Sequence, residues 1–282
     1  RIYTWLIDKP WGVKLSDRTL KNYLSVILSL VRNYKQDSKE IEDTYTTYYT
    51  YFNTLKNSLN AEQEKQEPKE KEIQLKNISM KVLRTAMGFW EKKCKGQDNM
   101  DAYSAFMYAM GHLHLDEVLR NELADIVLTA DYIPAIEQPN QNFIWVKGRN
   151  TKLLVIRSNK VRNPSRGDMP KEVWIKGKTN TAINKYVQIL HRQDILLDNP
   201  IPFCYSSKSK CNSKMSSSLF SQNFRKLWEH IDLPISTTDL RKVYAMDVRK
   251  EFGGNLLKEK EACMKLDHNK DTHDKHYILE FK

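Results

Sequence analysis

Three residues near the end of the chain combine types and spacing that could do chemistry. Leu240-Arg241-Lys242-Val243-Tyr244 puts an arginine early on a helical stretch, Leu266-Asp267-His268-Asn269 puts a histidine at a later helix end, and Tyr277 follows His268 by nine residues. These types suit a phosphate. A guanidinium fork binds two phosphate oxygens at once, an imidazole adds a hydrogen bond, and a phenol oxygen relieved of its proton is a nucleophile. A tyrosine alone near a chain end is ordinarily a packing residue; the spacing to His268 and Arg241 sets Tyr277 apart. The same tail, Asp267 to His276, also invites a metal reading. As a calcium loop it fails twice, with Thr272 where glycine is needed and Ile278 where a bidentate glutamate is needed. A zinc site from His268, His273 and His276 lacks a specified fourth ligand. A metal-binding regulatory protein rests on this tail alone, and neither a metal nor another cofactor is predicted.

A second segment lies upstream. It runs Gly111-His112-Leu113-His114-Leu115-Asp116-Glu117-Val118-Leu119 and continues to Ala124-Asp125-Ile126. It resembles, in register and spacing, the TGLRxSEllxLxxxDI segment of the tyrosine recombinases, the family of the phage integrases. The closing segment resembles that family's LRH-type helix, its GH(S/T) turn and the nucleophilic tyrosine nine residues beyond. The likeness spans roughly residues 15 to 282 and is specific in the final stretch.

The resemblance implies site-specific cleavage and rejoining of DNA, as in an integrase of a virus or mobile element. Tyr277 would attack a phosphodiester, form a 3′-phosphotyrosyl bond and release a 5′-hydroxyl that later reverses the step. Bond energy is retained, so neither ATP nor a nucleotide cofactor is required. Arg241 would clamp the phosphate, His268 would donate to it, and Glu117 would orient the site. Protonation of the leaving oxygen falls, in the family, to a lysine of the sheet's hairpin. Lys160 is the first choice, at the end of the strand that precedes the Pro164–Gly167 turn; Lys152, beside the turn at Gly148, is the alternative.

Two positions depart from the family pattern. His114 stands where the first arginine belongs, and Thr238 stands three residues before Arg241, where histidine or lysine is usual. Loss of one transition-state donor typically costs roughly 10²–10³ in rate. A second reading follows: a catalytically impaired relative that serves as a DNA-binding or architectural protein.

Bulk composition agrees with an anionic partner. Lys and Arg outnumber Asp and Glu by 46 to 35, a net charge of +11, which favours nucleic acid or an acidic surface. Double-stranded DNA is the predicted partner, with self-association on it. No apolar run has the length of a membrane span and no secretory signal opens the chain, so an intracellular location, wherever the DNA target lies, is expected. Cys94, Cys204, Cys211 and Cys263 form no CxxC pair and read as free thiols.

The elements that must position these residues read as mainly α with a small antiparallel sheet, an α+β class. Helices are expected over 15–34 and 41–59, whose tyrosines fall mostly on the core stripe. The run EQEKQEPKEKE, with no apolar residue, reads as a linker over 62–72. It separates a helical core-binding-like domain, 1–61, from a catalytic domain, 73–282. The latter is read as helices at 79–93, 98–110, 115–123, 181–191, 218–230, from about 239 and over 256–266, with strands at 143–147, 152–160 and 172–176.

Overall fold

Helix starts follow the polar residues that can cap them. In the structure, a computed structural model, the side chains of Ser16, Ser79, Asp101, Ser216, Ser236 and Asn255 each accept a backbone N–H from the first turn that follows, satisfying donors that have no partner within the helix. The structure describes residues 15–34, 36–65, 70–95, 101–159, 167–253 and 255–267. The chain divides into two compact units, 1–69 and 70–282.

In the first unit, α1 (Asp17–Val31) and α2 (Lys39–Lys65) form a helical hairpin. Leu20, Leu24 and Leu28 bury one stripe of α1 against Tyr48, with Tyr45, Phe52 and Leu55 packed alongside. The tyrosines divide differently from expectation. Tyr48 is buried and Tyr45 packs on the core, but Tyr23, Tyr34 and Tyr49 are exposed. Their stripe is wider than a two-helix hairpin can cover. The charged run expected as a linker is also partly helical: α2 continues to Lys65 and α3 (Glu70–Lys76) begins within it. Lys and Glu are good helix formers, so the lack of apolar residues does not prevent a helix here.

The second unit is built around α6 (Ala102–Glu117), where every residue from Ala105 to Leu115 is buried. The sequence pattern divides this stretch into two helices, but it is one, and a short 3₁₀ turn (Glu122–Ala124) follows. Around α6 lie α4 (Met80–Ala86), α5 (Gly88–Lys95), α7 (Gly177–Arg192) and α8 (Ser217–Lys226), with α9 (Thr237–Phe252) and α10 (Leu256–Lys265) completing the unit. Gly111 marks a close approach: a Cβ there would lie 2.4 Å from Met87 Cε.

The sheet corrects the antiparallel expectation. It has five strands, β1 (Val127–Thr129), β2 (Phe143–Gly148), β3 (Thr151–Ile156), β4 (Lys171–Ile175) and β5 (Ile201–Pro202), in the order β4-β3-β2-β1-β5. β1 runs parallel to β2 while the other pairs are antiparallel, so the sheet is mixed. The α+β class stands. One face, with Ile144, Leu154 and Ile175, joins the main core; the other, with Phe143, Leu153 and Val155, forms a smaller cluster under Ile133. All four cysteines are buried free thiols. No described helix is long and apolar enough to cross a membrane.

Candidate functional site

Arg241 is carried inward by α9. Ser236 and Asp239 form a reciprocal capping box at its start, and Lys71 Nζ donates to Asp239 Oδ2 at 2.7 Å. With the helix start fixed in this way, Thr237, Leu240, Arg241 and Val243 fall on the buried stripe. Arg241 is only 3% exposed. Its Nη1 donates to Val118 O at 3.1 Å and its Nη2 donates to Leu266 O. Those carbonyls belong to the C-caps of α6 and α10, where helices leave acceptors unpaired and a cation is favoured. Val118 adopts the left-handed conformation, φ 50°. For a β-branched residue that is a strained backbone, a feature that clusters at functional sites.

Glu117, the last residue of α6, faces two lysines. Lys171 Nζ, at the start of β4, lies 3.8 Å from its carboxylate and donates to Lys265 O at 3.3 Å. Burial raises the pKa of Glu117, opposed by Lys171 and Lys265. Burial lowers that of Lys265, opposed by Glu117. The Lys265 ammonium lies 5.4 Å from the ring centre of Tyr244. Near Arg241, Glu122 is also raised by burial, with its own backbone N–H and Arg241 acting against the rise.

Asn159 Nδ2 donates to Asp267 Oδ2 at 3.3 Å. The end of the strand region that precedes Lys160 and the turn that precedes His268 therefore meet. These contacts bring the segments of Arg241, Glu117, Asn159, Lys171, Lys265 and Asp267 together, since the two carbonyls that Arg241 holds belong to Val118, next to Glu117, and to Leu266, between Lys265 and Asp267. Lys160, His268 and Tyr277 themselves lie outside the described residues, as do His273 and His276.

His114 departs from the expectation that it faces the same phosphate. It is fully buried, with Nδ1 3.0 Å from Met110 O and Nε2 3.1 Å from Arg120 O, and its ring packs against Phe220 and Phe224. Burial pushes its pKa down to about 4, against the pull of both carbonyls. It is neutral at pH 7 and serves as an internal strut. Arg120, whose carbonyl faces His114, lies in the loop beyond α6. Thr238 is exposed on the first turn of α9.

Lys152, the alternative hairpin lysine, is interior. It is wholly buried on β3, and its Nζ reaches Arg149 O at 2.8 Å, Gly148 O at 3.3 Å, Asn180 Oδ1 at 2.8 Å and Asn184 Oδ1 at 2.6 Å. It ties the β2–β3 turn to α7. Sequence reasoning missed Lys171, Lys265, Glu122 and Tyr244. Lys171 follows Pro170 at a strand start and Lys265 ends a helix, both ordinary places for a solvated lysine. Among the described residues no group of three or more His, Cys, Asp or Glu is placed to hold a metal.

The arrangement can hold an anion against guanidinium and ammonium groups, with a carboxylate to fix their positions. Compared with protein-family models, with curated proteins and with solved structures, the chain gives no significant match.

Proposed function

We propose that this chain is a tyrosine-type DNA strand transferase that cleaves and rejoins duplex DNA through a 3′-phosphotyrosyl bond at Tyr277. One observation carries the reading: Arg241 holds the carbonyls of Val118 and Leu266, next to Glu117 and Asp267, and Asp267 in turn accepts from Asn159. Four sequence-distant segments come together there, and the resemblance asks for an arginine and an acid on two of them and for a lysine and a histidine next in sequence to the other two. In this reading the Tyr277 oxygen forms the new bond to phosphorus, the 5′-oxygen leaves, and Lys160 supplies its proton. His268 and Arg241 stabilise charge on the non-bridging oxygens. For Arg241 to do so, the phosphate must reach a guanidinium that is only 3% exposed.

The test is a covalent trap. The full chain is incubated with a randomised pool of nicked suicide duplexes, and protein–DNA adducts are resolved under denaturing conditions. An adduct that disappears in Tyr277→Phe supports the reading; no adduct from a pool the protein demonstrably binds overturns it.

A second reading, a DNA-binding or architectural relative with an impaired site, is favoured by His114. With both ring nitrogens turned to backbone carbonyls and no exposed surface, it offers the phosphate nothing in place of the family's arginine. Salt-dependent duplex binding without any adduct is the outcome that reading requires.

A further inference from the structure

One carboxylate serves two ammonium groups beside Arg241. Glu117 has its ion pair with Lys171, at 3.8 Å, while no carboxylate lies within ion-pairing distance of the Lys265 ammonium among the described residues. Lys265 is nonetheless half-buried and fixed over Tyr244. The other charges acting on it are Asp116 and Arg84, which approach each other at 3.8 Å. Asp116 is committed further, accepting from Thr179 Oγ1. Arg84, Lys171 and Lys265 therefore oppose Asp116 and Glu117, and one positive charge is left over. The carbonyls at this helix end serve other cations: Leu266 O accepts from Arg241 and Lys265 O from Lys171. A partly desolvated ammonium with no ion pair of its own, sharing carboxylates committed elsewhere, is costly to keep. Its position beside a solvent-facing Arg84, 50% exposed in its side chain, leaves it open to an anion from outside.

We propose that Lys265, with Lys171 behind it, binds a backbone phosphate of duplex DNA next to the one assigned to Arg241. Glu117 holds Lys171 back until the phosphate arrives. The inference rests on the DNA reading above but adds residues that the resemblance does not supply. Two lysines and a carboxylate in this order give a signature of opposite signs. Removing Lys265 removes a phosphate contact; neutralising Glu117 frees Lys171 to make one.

The test measures binding of a short mixed-sequence duplex to the full chain across a salt series. Lys265→Gln is expected to weaken binding several-fold and to reduce the magnitude of the log–log salt slope by about one. Lys265→Arg is expected to restore both. Glu117→Gln is expected to tighten binding and steepen the slope. Thermal unfolding of each variant identifies loss of fold, and Lys265→Arg keeps the test decisive if Lys265→Gln unfolds. If the wild type binds with a steep slope and neither Lys265→Gln nor Glu117→Gln changes it, the inference is wrong while the DNA reading stands. If the wild type shows no salt-dependent duplex binding, the DNA reading falls and takes this inference with it.

Discussion

Asn159 and Asp267 are hydrogen-bonded side chain to side chain at 3.3 Å although 108 positions separate them in the chain. This bond, with that from Arg241 to Leu266 O, closes the ring of segments around the candidate site. The sheet's hairpin and the end of α10 thus approach each other through named partners. Disrupting one side should be felt on the other.

Arg241→Met tests the clamp. The guanidinium satisfies the carbonyls of Val118 and Leu266, and leaving each buried acceptor unpaired should cost about 1–3 kcal/mol. The urea midpoint should fall with little change in the dependence on denaturant. Arg241→Lys retains charge but cannot fork to both acceptors, so it should recover only part of the loss. A midpoint unchanged in both variants would show that the clamp contributes nothing.

His114 gives a pH dependence with a definite sign. Its pKa falls from 6.5 to about 4 on folding, so between those values the unfolded chain binds more protons than the folded one. Stability from the neutral buried ring is complete above pH 6.5 and is lost as pH falls towards 4. The full effect is about 3 kcal/mol. Carboxylates titrate nearby, so the comparison is between wild type and His114→Gln, whose stability difference should shrink as the solution is acidified from pH 7 to 4. A pH-independent difference would contradict the assignment.

Lys152→Met should be among the more damaging substitutions in the sheet. Four oxygens converge on its ammonium, and the thioether replaces none of those bonds. A loss of about 2–4 kcal/mol is expected from unpaired acceptors. Amide exchange at Arg149 and Asn150 should quicken, since the turn would lose its tie to α7. Retention of wild-type exchange would dismiss that role.

Tyr277→Phe should leave duplex affinity nearly unchanged while abolishing the covalent adduct, because the hydroxyl acts as nucleophile and not as anchor. The wild type should bind with a log–log salt slope on the order of −5 or steeper, reflecting several neutralised phosphates. Competition binding at two salt concentrations checks both statements.

Much of the frame is legible in the sequence because its signals are local. Ser236 and Asp239 announce the start of α9, and the Val- and Ile-rich runs around Gly148 announce β2 and β3. The sequence reading missed β1 and β5, which have three and two residues, too short to show a period, and the antiparallel expectation failed only where β1 meets β2. Parallel pairing of β1 with β2 depends on the crossover through 130–142, which no local pattern encodes. Arg241 could be named from its spacing, but not its hold on Val118 and Leu266, since partners of a long side chain are set by tertiary packing. His114 was misleading for the same reason. Its spacing matched a site position, while the Phe220 and Phe224 that enclose it lie on a helix about a hundred residues away.

The burial of α6 on every side carries a consequence for how the second unit is made. An ordinary surface helix can settle early by covering one apolar stripe and leaving the other face wet. The stretch from Ala105 to Leu115 has no such face; it remains partly exposed until flanking helices and sheet have all arrived. Those neighbours come from before it and from well after it in the chain. On a ribosome, this segment emerges long before α9 can close over it. Until then it is an apolar stretch in need of shelter, and a chain cut anywhere between α6 and α9 should aggregate before it can assemble half a unit.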